Sequence, residues 1–185
     1  MKIVTTEKKR MKTTLNKIRA YVPCSDGWKK LLKHLGKTEA DDEPLNIKTI
    51  IESNGVDDAL WCLQAVDGKD KEIRLFAVWC ARQVQHLMTD KRSLDALDVA
   101  ERFANGLASK EELMAAGFAA RGAWDSAWDA AETAAYVAVW YAAAWDAARD
   151  AAWAARVAAR GAAGSAAQVA AKEAQAKKLI EICED

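Results

Sequence analysis

The stretch GAWDSAWDAAETAAYVAVWYAAAWDAARDAAWAAR, Gly122–Arg156, decides the fold of this 185-residue chain. It is rich in alanine, with five tryptophans and a scatter of aspartate and arginine. Alanine has the best intrinsic helix propensity, and neither glycine nor proline interrupts residues 123 to 160, so the tract is helical on propensity alone. One continuous helix there would run about 57 Å at about 1.5 Å per residue. A compact chain of this length has a radius of gyration near ~16 Å, hence a diameter of roughly 40 Å. The helix must therefore protrude, bend or break.

Stepping about 100° per residue places Trp124, Trp128, Trp145 and Trp153 in one arc, while Tyr136, Trp140 and Tyr141 fall off it. That scatter makes AAYVAVWYAAAW apolar all round. Either this segment is the central helix of a bundle or a turn near residues 138 to 144 resets the phase, and packing favours the break. The expectation is that small alanines let helix backbones approach closely while each tryptophan fills the volume alanine cannot. Arg121 with Asp125, and Asp146 with Arg149, stand at helical neighbour spacings, and Arg149 can lie over Trp145. The tract thus reads as scaffold, or as a partly exposed tryptophan and arginine face, with Arg149 in it, that anchors a partner.

Outward from the tract the punctuation stays helical. Prolines occur only at Pro23 and Pro44, and glycines stand where helices should end. An amphipathic helix is expected over Thr5 to Tyr21, then one capped by Ser25 and closed at Gly36, with Trp28, Leu31, Leu32 and Leu35 as its buried stripe. Pro44 suits the first turn of a helix ending at Asn54-Gly55, and Asp57 and Asp58 suit the start of the next. KEIRLFAVWCARQVQHLM reads as a strong helix, with Ile73, Phe76, Ala77, Cys80, Val84 and Leu87 on one face. Thr89 is the expected cap of the following helix, which Asn105-Gly106 stops, and Ser109 with Glu112 spells a capping box. Gly164-Ser165 starts a last helix ending near Cys183. Strand signals are absent. The sum is an all-α bundle of about seven to nine helices in one domain over residues 1 to 185: a basic extension (1 to 37), a helical core (38 to 113) and an alanine-rich tract (114 to 185).

Formal net charge is zero, with 27 residues of each sign, yet the distribution is uneven. Residues 1 to 37 hold eleven Lys and Arg against two acids, a local +9, and residues 38 to 72 hold ten acids against three lysines, a local −7. The two blocks either pair within the molecule or leave a basic face for phosphates, built from Lys8, Lys9, Arg10, Lys29, Lys30 and Lys33. No helix-turn-helix or aromatic-stacking module accompanies those lysines, so nucleic-acid contact would be nonspecific.

Chemistry is sparse. The only histidines are His34 and His86, there is no HExxH, no GxxxxGK[ST] and no GxGxxG, and Cys24, Cys62, Cys80 and Cys183 lie far apart. No metal, no cofactor and no catalytic residues are expected, and the thiols read as small hydrophobes in a reducing cytoplasm. The longest uncharged apolar run, Thr133 to Trp145, is 13 residues, which suits a buried helix rather than a membrane span. Asp57 and Asp58 remain candidates for partner contact. Alanine-rich faces suit self-association as well as internal packing, so a homodimer stays open.

Two runs, ESNGVDDALWCLQAV (Glu52–Val66) and IRLFAVWCARQVQHLMTDKRSLDALDVAERFANGLASKEEL (Ile73–Leu113), followed by the Ala, Trp, Asp and Arg tract, resemble the fifth-type immunity family of polymorphic-toxin systems in bacteria and their phages. The likeness covers roughly residues 45 to 160, and RLFAVWCAR through ALDVAERFANGLAS is its specific part. It implies a helical, non-enzymatic protein that binds and blocks a toxin or a host defence protein, an anti-CRISPR role included, with no functional residues to carry over. The alternative is a nucleic-acid-associated module using the basic N-terminal segment.

Overall fold

The computed structural model describes residues 10–127, 129–141 and 144–184. Among them are nine α-helices and one two-stranded ribbon. The architecture is all-α, and the chain divides into two compact units: residues up to Asp67 with the end of the chain from Lys177, and Gly68–Ala176.

In the first unit, β1 (Lys12–Thr13) pairs antiparallel with β2 (Leu45–Asn46), Lys12 opposite Asn46. This ribbon corrects the expectation of no strand and, from Arg10 to Thr14, that of a helix through Thr5–Tyr21, whose residues 5 to 9 lie outside the described residues. Met11, Thr13 and Leu15 are buried while Lys12 is exposed, a period of two that belongs to a strand. The Thr13 hydroxyl donates to the Ala65 carbonyl at 2.6 Å, and the Met11 amide to the Cys183 carbonyl at 3.1 Å. Helix α1 (Leu15–Ala20) begins only after Thr14, whose hydroxyl accepts the Lys17 amide.

Helix α2 (Ser25–Leu35) has Cys24, not Ser25, at its cap, with no side-chain bond there, and Gly36 closes it in the left-handed region at φ 66°. Of its expected stripe only Leu31 is fully buried; Trp28, Leu32 and Leu35 are half-buried. Helix α3 (Ile47–Asn54) starts one ribbon later than Pro44, capped by Asn46, and α4 (Val56–Cys62) follows Gly55 with Asp57 and Asp58 in its first turn. Met11, Ile18, Ile47, Ile50, Leu60 and Leu179 are each at most 1% exposed and form this unit's core.

The second unit holds α5 (Asp70–Arg82), α6 (Lys91–Ala104), α7 (Lys110–Ala127) and α8 (Ala130–Trp140), and most of α9 (Ala144–Glu184). Asp90 rather than Thr89 caps α6, its carboxylate accepting the Arg92 amide at 2.8 Å. Hydrogen bonds from the Arg92 side chain and amide hold the Asp90 carboxyl down to about 2. The Ser109 and Glu112 box forms as expected: each amide donates to the other's side chain, at 2.7 and 3.1 Å. Asp129 caps α8 by accepting the Ala131 and Glu132 amides.

The alanine tract leaves the helical conformation at Asp129 and at Tyr141, both extended, and the second break falls where packing favoured one. Trp128 lies outside the described residues. Helix α8 is buried on nearly every side, from Ala131 through Val139, which makes it the central helix as well. The volume-filling expectation holds only in part: alanines line the core, Trp124 and Trp145 are half-buried, and Trp140 (37% exposed) and Trp153 (60%) stand outside it. Alanines 134, 135, 147, 148, 151 and 152 are wholly buried. Small side chains let helices meet backbone to backbone.

Within α9, Gly164 adopts φ 83°, ψ −174° and the chain doubles back. Gln175 donates its amide to the Ala152 carbonyl at 2.8 Å across 23 residues. In a straight helix those positions would stand about 35 Å apart. The buried Glu132 carboxylate ties the loop before α6 to α8, accepting the Thr89 and Asp90 amides at 2.9 and 3.1 Å.

Candidate functional site: an aromatic groove on helices α7 and α8

Helix α7 carries two apolar stripes. Leu113, Gly117 and Ala120 turn inward, while Met114 and Phe118, one position on, stay 52% and 59% exposed. Gly117 is what brings α8 close: a β-carbon there would stand 3.2 Å from Trp140 Cε3 and 3.7 Å from Val139 Cγ1. The indole therefore lies against bare backbone. Tyr141 then leaves the helix in an extended conformation, and its carbonyl accepts Arg74 Nη1–H from α5 at 3.2 Å.

The rings form a chain across α7 and α8. Phe118 meets Trp140 edge-on at 5.2 Å, Trp140 tilts against Tyr136 at 5.5 Å, and Tyr136 stacks on Trp124 at 5.7 Å. Such pairs contribute about 0.5–1.5 kcal/mol each beyond their buried area. Partial burial pushes the Tyr136 hydroxyl up from its ordinary range. Two cations face rings here: Arg121 over Trp140 at 5.9 Å and Arg74 over Phe103 at 5.4 Å.

These walls enclose a groove of about 380 Å³. Its lining residues are apolar apart from Arg74, Lys110 and Tyr141, and none of them is acidic. Burial pushes the Arg74 guanidinium down from its ordinary value, and Asp70 opposes that shift. The arrangement holds an apolar body and presents positive charge at its edge.

The residues the sequence singled out are not gathered at this groove. Lys8 and Lys9 lie outside the described residues. Arg10 is exposed, as are Lys29, Lys30 and Lys33 on α2, and among the described residues none of those three lysines makes an ion pair. Elsewhere the charge blocks do pair: Lys37 with Asp41 and with Glu43 at 2.6 Å, and Lys17 with Asp67 at 2.5 Å. Asp58 is half-buried, accepts the Asn54 side-chain Nδ2–H at 2.8 Å and packs against Gly27, where a β-carbon would meet its carboxylate at 2.8 Å. Asp57 is exposed in the first turn of α4 and engaged in an interaction of its own. Arg149 binds Asp146 at 3.2 Å and Asp150 at 2.9 Å and lies over Trp145 at 5.0 Å, the stacking its spacing suggested.

Of the thiols, Cys62, Cys80 and Cys183 are buried as small hydrophobes, whereas Cys24 is exposed. Burial, with Asp58 nearby, pushes the Cys62 thiol up to about 12. No cluster of three metal-ligating side chains occurs among the described residues, and no helix among them is long and apolar enough to cross a membrane. Compared with protein-family models, with curated proteins and with solved structures, the chain finds no match in any of the three.

Proposed function

We propose that this protein acts without catalysis, by stoichiometric binding to a partner protein, as an inhibitor of immunity or phage anti-defence type, an anti-CRISPR role included. The observation that carries the binding reading is the groove: Phe118, Met114 and Trp140 expose large apolar surface side by side, with arginines at its margin. Aromatic and arginine anchors around a desolvated pocket are what dominate binding energy at protein interfaces. Contiguous exposed apolar patches on a folded chain mark interaction sites. The class of partner, a toxin or host defence protein, comes from the likeness of residues 45 to 160 to the fifth-type immunity family.

The test is affinity capture from bacterial lysate with wild type and Met114→Glu as parallel baits, each with nuclease treatment. Met114 is half-exposed on a helix that tolerates glutamate, so the substitution places a charge in the groove without disturbing the core. A protein retained by wild type after nuclease and lost from Met114→Glu is the expected result; equal retention by both baits sinks the groove. The unpaired Lys29, Lys30 and Lys33 favour a second reading, polyanion binding by α2. That reading requires recovery that vanishes with nuclease and falls steeply between about 50 and about 500 mM salt.

A further inference from the structure

We propose that two copies of this chain pair antiparallel through the outer face of α7, and that this pairing covers the rim of the aromatic groove. The pairing stands by itself; its role as a cover over the partner's site rests on the partner-binding reading. Glu111, Met114, Phe118, Arg121 and Asp125 recur every three or four residues along α7, and all five are exposed. At about 100° per residue they fall within an arc of about 80°. That arc is turned away from Leu113 and Ala120, which are buried. A stripe alternating by three and four is the seam of a two-helix contact.

The order of the five residues is what names the occupant. Glu111 begins the stripe, Met114 and Phe118 hold its centre, and Arg121 and Asp125 end it. A second α7 laid antiparallel and centred on Ala116 sets Met114 against Phe118 of the second copy, a favourable thioether and ring contact. The same register sets Glu111 against Arg121 of the second copy, and twofold symmetry makes each contact twice. Lys110 and Asp125 flank the ionic contact, so each end gathers two charges of each sign. Parallel pairing would instead oppose Glu111 to Glu111, Arg121 to Arg121 and Asp125 to Asp125, which repel.

Neither ionic group is held by a strong ion pair of its own chain. Glu111 takes hydrogen bonds from its own amide and from the Ser109 hydroxyl. Arg121 has Asp125 at 3.9 Å, both exposed, a pair worth little, and lies over Trp140 at 5.9 Å. The seam runs about 21 Å at about 1.5 Å per residue, so the dimer belongs with small, reversible interfaces.

The test is sedimentation velocity of the full chain from about 1 to about 300 µM, the range in which a small interface dissociates. Wild type is expected to pass from monomer to dimer. Glu111→Arg and Arg121→Glu should each weaken the dimer by about tenfold or more, since either change sets like charges against each other twice. An equimolar mixture of the two variants restores both ionic contacts and should dimerise again. A wild type that stays monomeric throughout would overturn the proposal, as would a dimer that neither variant weakens or a mixture no more associated than its components. Failure here is separable from failure of the partner reading: a monomeric chain whose capture of a protein depends on Met114 keeps the second and loses the first.

Discussion

Trp140→Ala is expected to weaken binding of the captured partner by about 30-fold or more. Truncating an interface anchor costs about 2 kcal/mol or more, and each 1.4 kcal/mol is about tenfold in affinity. Trp140 is the natural anchor because it is shared by both halves of the ring chain, touching Phe118 and Tyr136, and it also supports Arg121. It is 37% exposed, so part of its surface is already available to a partner. The folded chain loses two ring contacts, at about 0.5–1.5 kcal/mol each, so a thermal melt of the variant belongs beside the binding measurement. Affinity within about threefold of wild type, with the fold intact, would remove Trp140 from the interface.

Phe76→Ala is expected to cost about 3–5 kcal/mol of stability, the range for emptying a buried aromatic site. Phe76 is 0% exposed and stacked 6.0 Å from Trp79 in the middle of α5, so its truncation empties a fully buried site. Trp153→Ala removes a larger side chain yet should cost under about 1 kcal/mol, because that ring is 60% exposed on α9. Denaturant titration of the two variants reads the difference directly. A Trp153→Ala loss equal to that of Phe76→Ala would contradict the placement of Trp153 outside the core.

The helical architecture was legible because its signals are local. Alanine propensity needs no tertiary partner, and Gly36, Gly55, Gly106 and Gly164 all take positive φ at or near the points where the pattern stops. The Ser109 and Glu112 box is equally local, since both residues sit within one turn. Helix starts slipped by one to three residues at Ser25, Pro44 and Thr89, where several candidate residues stand together and packing selects among them. The two-residue strands gave no pattern: Met11, Thr13 and Leu15 alternate too briefly for a period to register.

The groove was not legible, for a geometric reason. Its residues come from four separated segments, around Arg74, Phe103, 110 to 118 and 139 to 141, and only packing unites them. The phase of the tryptophans depends on the breaks at Asp129 and Tyr141, and each break rotates the faces that follow. One signal was available: Met114 and Phe118 form a second apolar stripe beside Leu113 and Gly117, wider than one buried face needs. Charge clustering pointed instead to α2, where Lys29, Lys30 and Lys33 stay exposed.

Hydrogen–deuterium exchange of the chain, alone and saturated with its captured partner, tests the central claim most directly. The account predicts new protection over residues 110 to 118 and 136 to 141, the two edges of the aromatic groove. Protection confined to residues 10 to 37, with the groove exchanging as in the free chain, would contradict it and move the binding site to the basic segment.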